Sequence, residues 1–207
     1  ALAAVEILTV APACTHITTA IAPITAEPDL KSSYRTALPP DACLTITAAA
    51  GDYLQLENGG WLHRRHTAPA DNITDPIAAA RSQLGRSYLW GGRGVAGLDC
   101  SALCQWAYRR AGHNIPRDSD LQEMYLHEHH KRVDLGELAR GDLLYLPGHV
   151  MLAADPYTVI HASGHHMQVV SENLADAIAR YKKQMGAKYH LRAYRWDEEE
   201  PFEHVFD

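Results

Sequence analysis

One stretch, residues 88–101, constrains the chain more than any other. It reads Tyr88-Leu89-Trp90-Gly91-Gly92-Arg93-Gly94-Val95-Ala96-Gly97-Leu98-Asp99-Cys100-Ser101. The glycines at 91, 92, 94 and 97 let the backbone come close to the cysteine sulfur, or take positive φ, without a side-chain clash. After Cys100, apolar residues recur at 103, 106, 107 and 111, the spacing of an amphipathic helix, and Gly112 suits its C-terminal cap. The cysteine is therefore predicted in the first turn of a helix. Unpaired N–H groups and the positive dipole end at that place favour a thiolate, the nucleophilic form of the side chain.

The 207 residues suit one large domain or a small one joined to a medium one. The formal net charge is -6, with no basic clustering, so no nucleic-acid partner is expected. Part of the negative excess is the run 197–200, expected as a solvated tail. No apolar run reaches the length of a transmembrane helix, so no membrane span is expected. The start lacks the basic region of a signal peptide, and the absent initial Met leaves room for a leader or an earlier segment. Of four cysteines, Cys100 and Cys104 lie one helical turn apart. Cys14, Cys43 and Cys104 are expected as small buried apolar residues, since the chain is too long and cysteine-poor for a disulfide scaffold.

Two textures divide the chain. Residues 1 to about 16 are Ala-rich and read as coil or a short helix. From 17 to about 67 the pattern is all-β: short β-branched or alternating runs separated by Pro23, Pro28, Pro39-Pro40-Asp41, Gly51-Asp52 and the hairpin signal Asn58-Gly59-Gly60. Residues 68–72 read as a linker. Asp75-Pro76 then caps and starts a helix to about 84. The Cys100 helix follows, and a third helix is predicted from 121 to about 130. Beyond it, short strands near 143–146, 150–153, 158–160 and 167–170 have connections too short for parallel pairing. A helix from 173 to about 185 and a strand within 190–196 complete an α+β domain. Residues 1–70 are thus expected as one domain and 71–207 as another.

A cysteine nucleophile needs a base and a group to orient that base. His149, after the Pro147-Gly148 turn, and His161, inside the next strand, can lie side by side in an antiparallel pair. His127, His129, His130, His165 and His166 have no cysteine near them in sequence, so they are expected as a solvated helix face and a turn; no metal and no cofactor is expected.

The ordered set Tyr-x-Trp-Gly-Gly, Gly-x-Asp-Cys-Ser, Pro116-Arg117-x-Ser119, Arg140-Gly141-Asp142-Leu143, Gly148-His149-Val150 and Ile160-His161-Ala162-Ser163 resembles the NlpC family of cell-wall cysteine peptidases over residues 75–194. The resemblance implies a papain-like α+β fold, with Cys100 as nucleophile, His149 as base, His161 as the orienting third member and Tyr88 near the thiol. The β-textured front end resembles a small bacterial SH3-like barrel. That combination is similar to the subgroup that cleaves γ-D-glutamyl–diamino acid bonds of murein peptides. It implies Asp99 and Ser101 as the grip on a free N-terminal L-Ala amine, Ser119 as a further substrate contact, and a first domain that closes part of the cleft. Met151 stands where the family has a small residue and is expected to narrow or reshape the cleft. The resemblance implies a bacterial protein, cytoplasmic if it recycles free murein peptides and otherwise periplasmic or in the cell envelope. Rival expectations are hydrolysis of intact wall, with the first domain as anchor, or a non-catalytic wall-peptide adaptor.

Overall fold

The computed structural model describes residues 14–40, 42–70 and 75–196. The expectations for residues 1–13, for the end of the linker and for the acidic run at 197–200 lie outside the described residues. The chain divides into two compact units, Ala1–Asn72 and Ile73–Asp207.

The described part of the first unit is built of short antiparallel strands: β1 His16–Thr18, β2 Ala22–Thr25, β3 Tyr34–Leu38, β4 Cys43–Leu44, β5 Ile46–Ala50, β6 Tyr53–Leu56, β7 Trp61–His63 and β8 Thr67–Pro69. They form one sheet in the order β3-β2-β7-β6-β5 and another in the order β4-β1-β8. Ala22, Ile24, Leu44, Leu56 and Leu62 make the core. The Asn58-Gly59-Gly60 turn joins β6 to β7, with Gly59 at φ 81° and the Gly60 N–H donating to Asn58 Oδ1 at 3.2 Å.

Three expectations fail in this unit; one is the linker, whose start, Ala68-Pro69, lies in β8 with Ala68 buried opposite Ile17. Pro23 does not end a strand but lies within β2, opposite Ala37 of β3. On its other side β2 meets β7 only at Thr25↔Trp61, so the amide hydrogen that proline lacks has no ladder bond to make there. Cys14 and Cys43 are not buried apolar residues; both are exposed and form a disulfide with a Cα–Cα separation of 5.4 Å. The pairing of β1 with β4, Ile17 opposite Cys43, brings the two sulfurs together across 29 residues of sequence.

The second unit comprises α1 Pro76–Arg81, β9 Arg93–Gly94, β10 Gly97–Leu98, α2 Cys100–Arg110, α3 Ser119–His129, β11 Lys131–Val133, β12 Leu143–Leu146, β13 His149–Asp155, β14 Thr158–Ser163, β15 Gln168–Asn173, α4 Leu174–Met185 and β16 Arg192–Arg195. Asp75 caps α1 by accepting from the N–H groups of Ile77 and Ala78, with Pro76 at its first position. This helix stops before residue 84 because its last turn tightens: Gln83 and Leu84 donate to carbonyls three residues back rather than four.

Strands β11-β16-β12-β13-β14-β15 form one antiparallel sheet. Strand alternation sends Tyr145, Val150, Leu152, Ile160 and Ala162 to one face, against residues of α1 and α2 such as Ile77, Leu103 and Ala107. Leu144, Leu146, Met151, Ala153 and Val159 go to the other, under Leu174, Ala177 and Tyr181 at the start and middle of α4. Met151 is thereby fully buried beneath α4. The expectation that it shapes the cleft is corrected: with Ala153 it fills the core under α4 and leaves no exposed surface to shape a cleft.

The Arg140-Gly141-Asp142-Leu143 segment has a structural role. Asp142 is fully buried and accepts from the Ala139 N–H at 2.7 Å and from Nε and Nη2 of Arg195 at 2.8 Å each. This ties the entrance of β12 to β16. Removing one partner of such a pair strands the other charge, which typically costs about 3–5 kcal/mol when burial is complete. Arg195→Ala, from the half-exposed side of the pair, is expected to lose about 3 kcal/mol in a urea titration; a loss too small to measure would show that water replaces the guanidinium.

Candidate active site

The glycine-rich stretch folds as the small β9–β10 hairpin that delivers the chain into α2. Its glycines are required by close approach. A Cβ on Gly92 would lie 2.8 Å from the carbonyl oxygens of Leu89 and Gly97, and one on Gly97 would lie 2.8 Å from Leu89 Cβ and the Ser87 carbonyl. The Asp99 N–H donates to the Gly92 carbonyl at 3.0 Å, and the Asp99 carboxylate caps α2 by accepting from the Ala102 N–H at 2.8 Å. Cys100 is the first residue of the helix, 6% exposed. The backbone N–H groups of Val150, Ser101 and Cys100 itself point at its sulfur. Val150 follows His149 directly, so the same contact fixes the start of β13 beside the thiol.

His149 is 7% exposed and His161 fully buried. His149 Nε2 and His161 Nδ1 are 2.7 Å apart, and His161 Nε2 lies 2.6 Å from Glu172 Oε1. Arg180 of α4 donates to both oxygens of Glu172, with Nη1–Oε2 at 2.9 Å. The Tyr181 ring stacks on His149 at a centroid distance of 5.0 Å. Cys100, His149, His161, Glu172 and Arg180 thus come from α2, β13, β14, β15 and α4 in turn.

The electrostatics differ from the thiolate expected at a helix N-terminus. Burial pushes the Cys100 thiol up, and the nearby Asp99 adds to this, outweighing the Val150 N–H that works the other way. Burial also pushes His149 well down, helped by His161 and Arg180. Both shifts favour an uncharged thiol beside an uncharged imidazole. Neither charge is stable there alone, but one proton passed from sulfur to nitrogen creates two charges that neutralise each other. Cys104, one turn further, is fully buried, with its thiol driven well up, as a core residue.

A family model described as NlpC/P60 matches residues 85–195, more than half of the chain. The chain belongs to the NlpC/P60 family. Dipeptidyl-peptidase 6 of Lysinibacillus sphaericus is 35% identical to it over 107 residues, 50% of this chain and 38% of that protein. A probable endopeptidase of Corynebacterium glutamicum is 37% identical over 99 residues, 46% of each chain. The chain thus spans less than half the length of these curated relatives. A solved NlpC/P60 family protein from Bacillus cereus ATCC 10987 superposes with a TM-score of 0.67 over 88% of this chain and 63% of that one, at 22% identity, a likeness of fold.

Within this NlpC/P60 unit the other residues singled out in the sequence are Asp99, Ser101, Tyr88 and Ser119. Asp99 and Ser101 are both buried and share one network: Ser101 Oγ is 3.2 Å from Asp99 Oδ1. Tyr88 is half-buried; burial and the nearby Cys100 and Asp99 raise its phenol, which keeps it a hydrogen donor. Ser119 opens α3, half-buried, one turn from the Pro116-Arg117 segment. Among the described residues no group of three or more His, Cys, Asp or Glu side chains could hold a metal ion, and no helix is long and apolar enough to cross a membrane.

Arg117 is a residue whose role the sequence did not disclose. Its Nη2 donates to Asp99 Oδ2 at 2.7 Å, and its Nη1 to Asp99 Oδ1 at 3.1 Å and to Ser101 Oγ at 2.9 Å. Gln122, fully buried, donates to the carbonyls of Ser101 and Pro116 at 3.0 and 2.9 Å, locking that segment onto the first turn of α2. The signal for Arg117 lay in the Pro-Arg-x-Ser motif; Gln122 lies three residues beyond it, inside α3.

Proposed function

We propose that this chain is a cysteine endopeptidase that hydrolyses the γ-D-glutamyl–diamino acid bond of murein peptides carrying a free N-terminal L-Ala. One observation carries the reading: a thiol at a helix N-terminus, beside two linked imidazoles, adjoins a carboxylate–guanidinium pair. In this reaction Cys100 passes its proton to Nδ1 of His149 and attacks the γ-carbonyl carbon. The carbonyl oxygen becomes an oxyanion, stabilised by backbone N–H groups near Cys100; one such donor is typically worth roughly 3 kcal/mol. Collapse breaks the C–N bond, the leaving amine takes the proton from His149, and the glutamyl group remains as a thioester. His149 then deprotonates a water, whose attack releases the dipeptide and restores the thiol.

Asp99 and Arg117 place a negative and a positive group side by side next to the nucleophile. L-Ala-γ-D-Glu offers their complement, an ammonium and an α-carboxylate. Asp99 Oδ2 accepts from Arg117 Nη2 and keeps lone-pair capacity for an ammonium. Ser101 and Ser119 supply hydroxyl contacts to the peptide. The Cys14–Cys43 disulfide supports the cell envelope as the place of work, since reducing compartments keep such thiols open. The linked histidines beside the thiol favour catalysis over a non-catalytic adaptor.

The test is incubation with synthetic L-Ala-γ-D-Glu–diaminopimelate and mass-spectrometric detection of the released L-Ala-D-Glu. Acetylating the N-terminus is expected to lower kcat/KM by about 100-fold or more, because the lone pairs that Asp99 keeps beside Arg117 then lose the ammonium and meet an uncharged amide. Clearing of intact sacculi with no cleavage of the free peptide would overturn the free-peptide assignment and favour the assembled wall as substrate.

A further inference from the structure

We propose that Glu172 sets the direction of the hydrogen bonds through His161 and His149, and is a positioning residue of this site. The inference rests on the reading of Cys100, His149 and His161 as the reacting set. A neutral imidazole carries one N–H, so two imidazoles joined by one hydrogen bond can be ordered in either direction. In one order His149 Nε2 donates to His161 Nδ1, and His149 Nδ1 keeps a lone pair that can take the thiol proton. In the other, His161 Nδ1 donates, the proton of His149 sits on Nδ1, and no base faces the thiol.

Glu172 removes the ambiguity. An ionised carboxylate can only accept. At 2.6 Å from Glu172 Oε1, His161 Nε2 must therefore be the donor. A neutral His161 then has a bare Nδ1, which accepts from His149 Nε2 across 2.7 Å, and the lone pair falls on His149 Nδ1. The carboxylate is itself fixed. Arg180 bonds both of its oxygens, leaving it no other rotamer that keeps those contacts. Burial would raise the Glu172 carboxyl, but the bonds from His161 and Arg180 hold it at about 2, so it stays ionised wherever the protein works.

The same carboxylate supports positive charge on the imidazoles. His161 is faced by His149 from β13, Glu172 from β15, Arg180 and Tyr181 from α4, and His166 from the β14–β15 turn. Around the Cys100 sulfur lie Asp99, Tyr88 and the N–H of Val150, the residue after His149. Burial and Arg180 push both histidines down, and Glu172 pulls both up. Strand register explains why this residue is the one in place. Glu172 sits opposite Val159, two residues before His161 on the same face of β14.

The test compares wild type with Glu172→Gln, Glu172→Leu and Cys100→Ser. Gln keeps the shape and an acceptor oxygen without the charge; Leu removes both. Outer carboxylates that orient metal-bound histidines are worth about 10- to 100-fold, and a kcat loss in that range is expected for Glu172→Leu, with KM little changed and a smaller loss for Glu172→Gln. Both limbs of the pH–rate profile, and the pH dependence of Cys100 alkylation by iodoacetamide, are expected to move to lower pH in both variants. The sign follows because removing a negative charge favours every deprotonated form of the thiol–imidazole pair. A merely structural residue would lower the folded fraction without moving the limbs. Unchanged limbs and kcat in folded Glu172→Leu, or in Glu172→Gln should the first variant not fold, would overturn the inference. Turnover retained by Cys100→Ser would instead overturn the reading of the reacting set, and the alkylation profile separates the two because it needs no substrate.

Discussion

Cys100→Ala is expected to bring turnover of the tripeptide to the uncatalysed background while leaving the fold and the affinity for the peptide in place. Removing one member of a nucleophile–base unit typically costs as much as removing the whole unit, on the order of 10⁶-fold in serine peptidases. No second sulfur can substitute. Cys104 is fully buried one turn away, and Cys14 and Cys43 are joined to each other. The change deletes one atom from a site already shaped by glycines, so it opens little volume. Its structural cost is the sulfur acceptor of the Val150 N–H, a bond worth about 1 kcal/mol. Peptide binding by calorimetry, thermal melting and initial rates read the three quantities separately. Persistent turnover would mean that another group attacks the carbonyl. Loss of binding together with activity would mean that Cys100 serves the fold more than the reaction.

How much of this site was legible before the structure depended on the range of each signal. Cys100, Asp99 and Ser101 are local: a glycine-rich approach, a cap residue and an amphipathic helix are all written within 25 residues. His149 and His161 were legible because a short β-hairpin brings neighbouring strands together at predictable spacing, and the structure links their rings directly. Glu172 was not, although the same logic reaches it once β15 is set in register against β14; an acidic residue at the end of a strand reads as solvated unless the partner strand carries a histidine on that face. Tyr181 lies on the apolar stripe of α4 with Leu174 and Ala177, but which strands that stripe covers, and so which partner Arg180 meets, no local pattern states. Met151 shows the opposite error. The small residue that the family has at this position drew it toward the cleft, but Met151 is fully buried and packs with Ala153 under α4. In the first unit the strand positions of β3, β6 and β7 followed from alternation and turn residues, whereas the split into two sheets and the meeting of Cys14 with Cys43 depend on pairing between distant segments.

Opening that Cys14–Cys43 bond is expected to destabilise the first unit by about 3–4 kcal/mol. The closed loop spans 29 residues, and cross-linking a loop of that size removes this much chain entropy from the unfolded state in the loop-closure account. The figure is large against the 5–15 kcal/mol that holds a typical domain together. It is larger still against this unit's means: among the described residues its buried cluster is five small and medium apolar side chains, and β1 contributes three residues to a three-stranded sheet. Both cysteines are exposed, so Cys14→Ser with Cys43→Ser creates no cavity and leaves no buried polar group; the loss must come from the lost tether. Hydrogen exchange followed peptide by peptide, with and without a phosphine reductant, should lose protection first in β1, β4 and β8, the strands that the bond ties together. Since β4 is bonded to β1 by only two residue pairs, its exchange is expected to approach that of free chain once the tether is cut. Equal protection in the reduced and oxidised proteins would mean that strand pairing alone suffices, and would remove the disulfide as a reason to place the protein in an oxidising compartment.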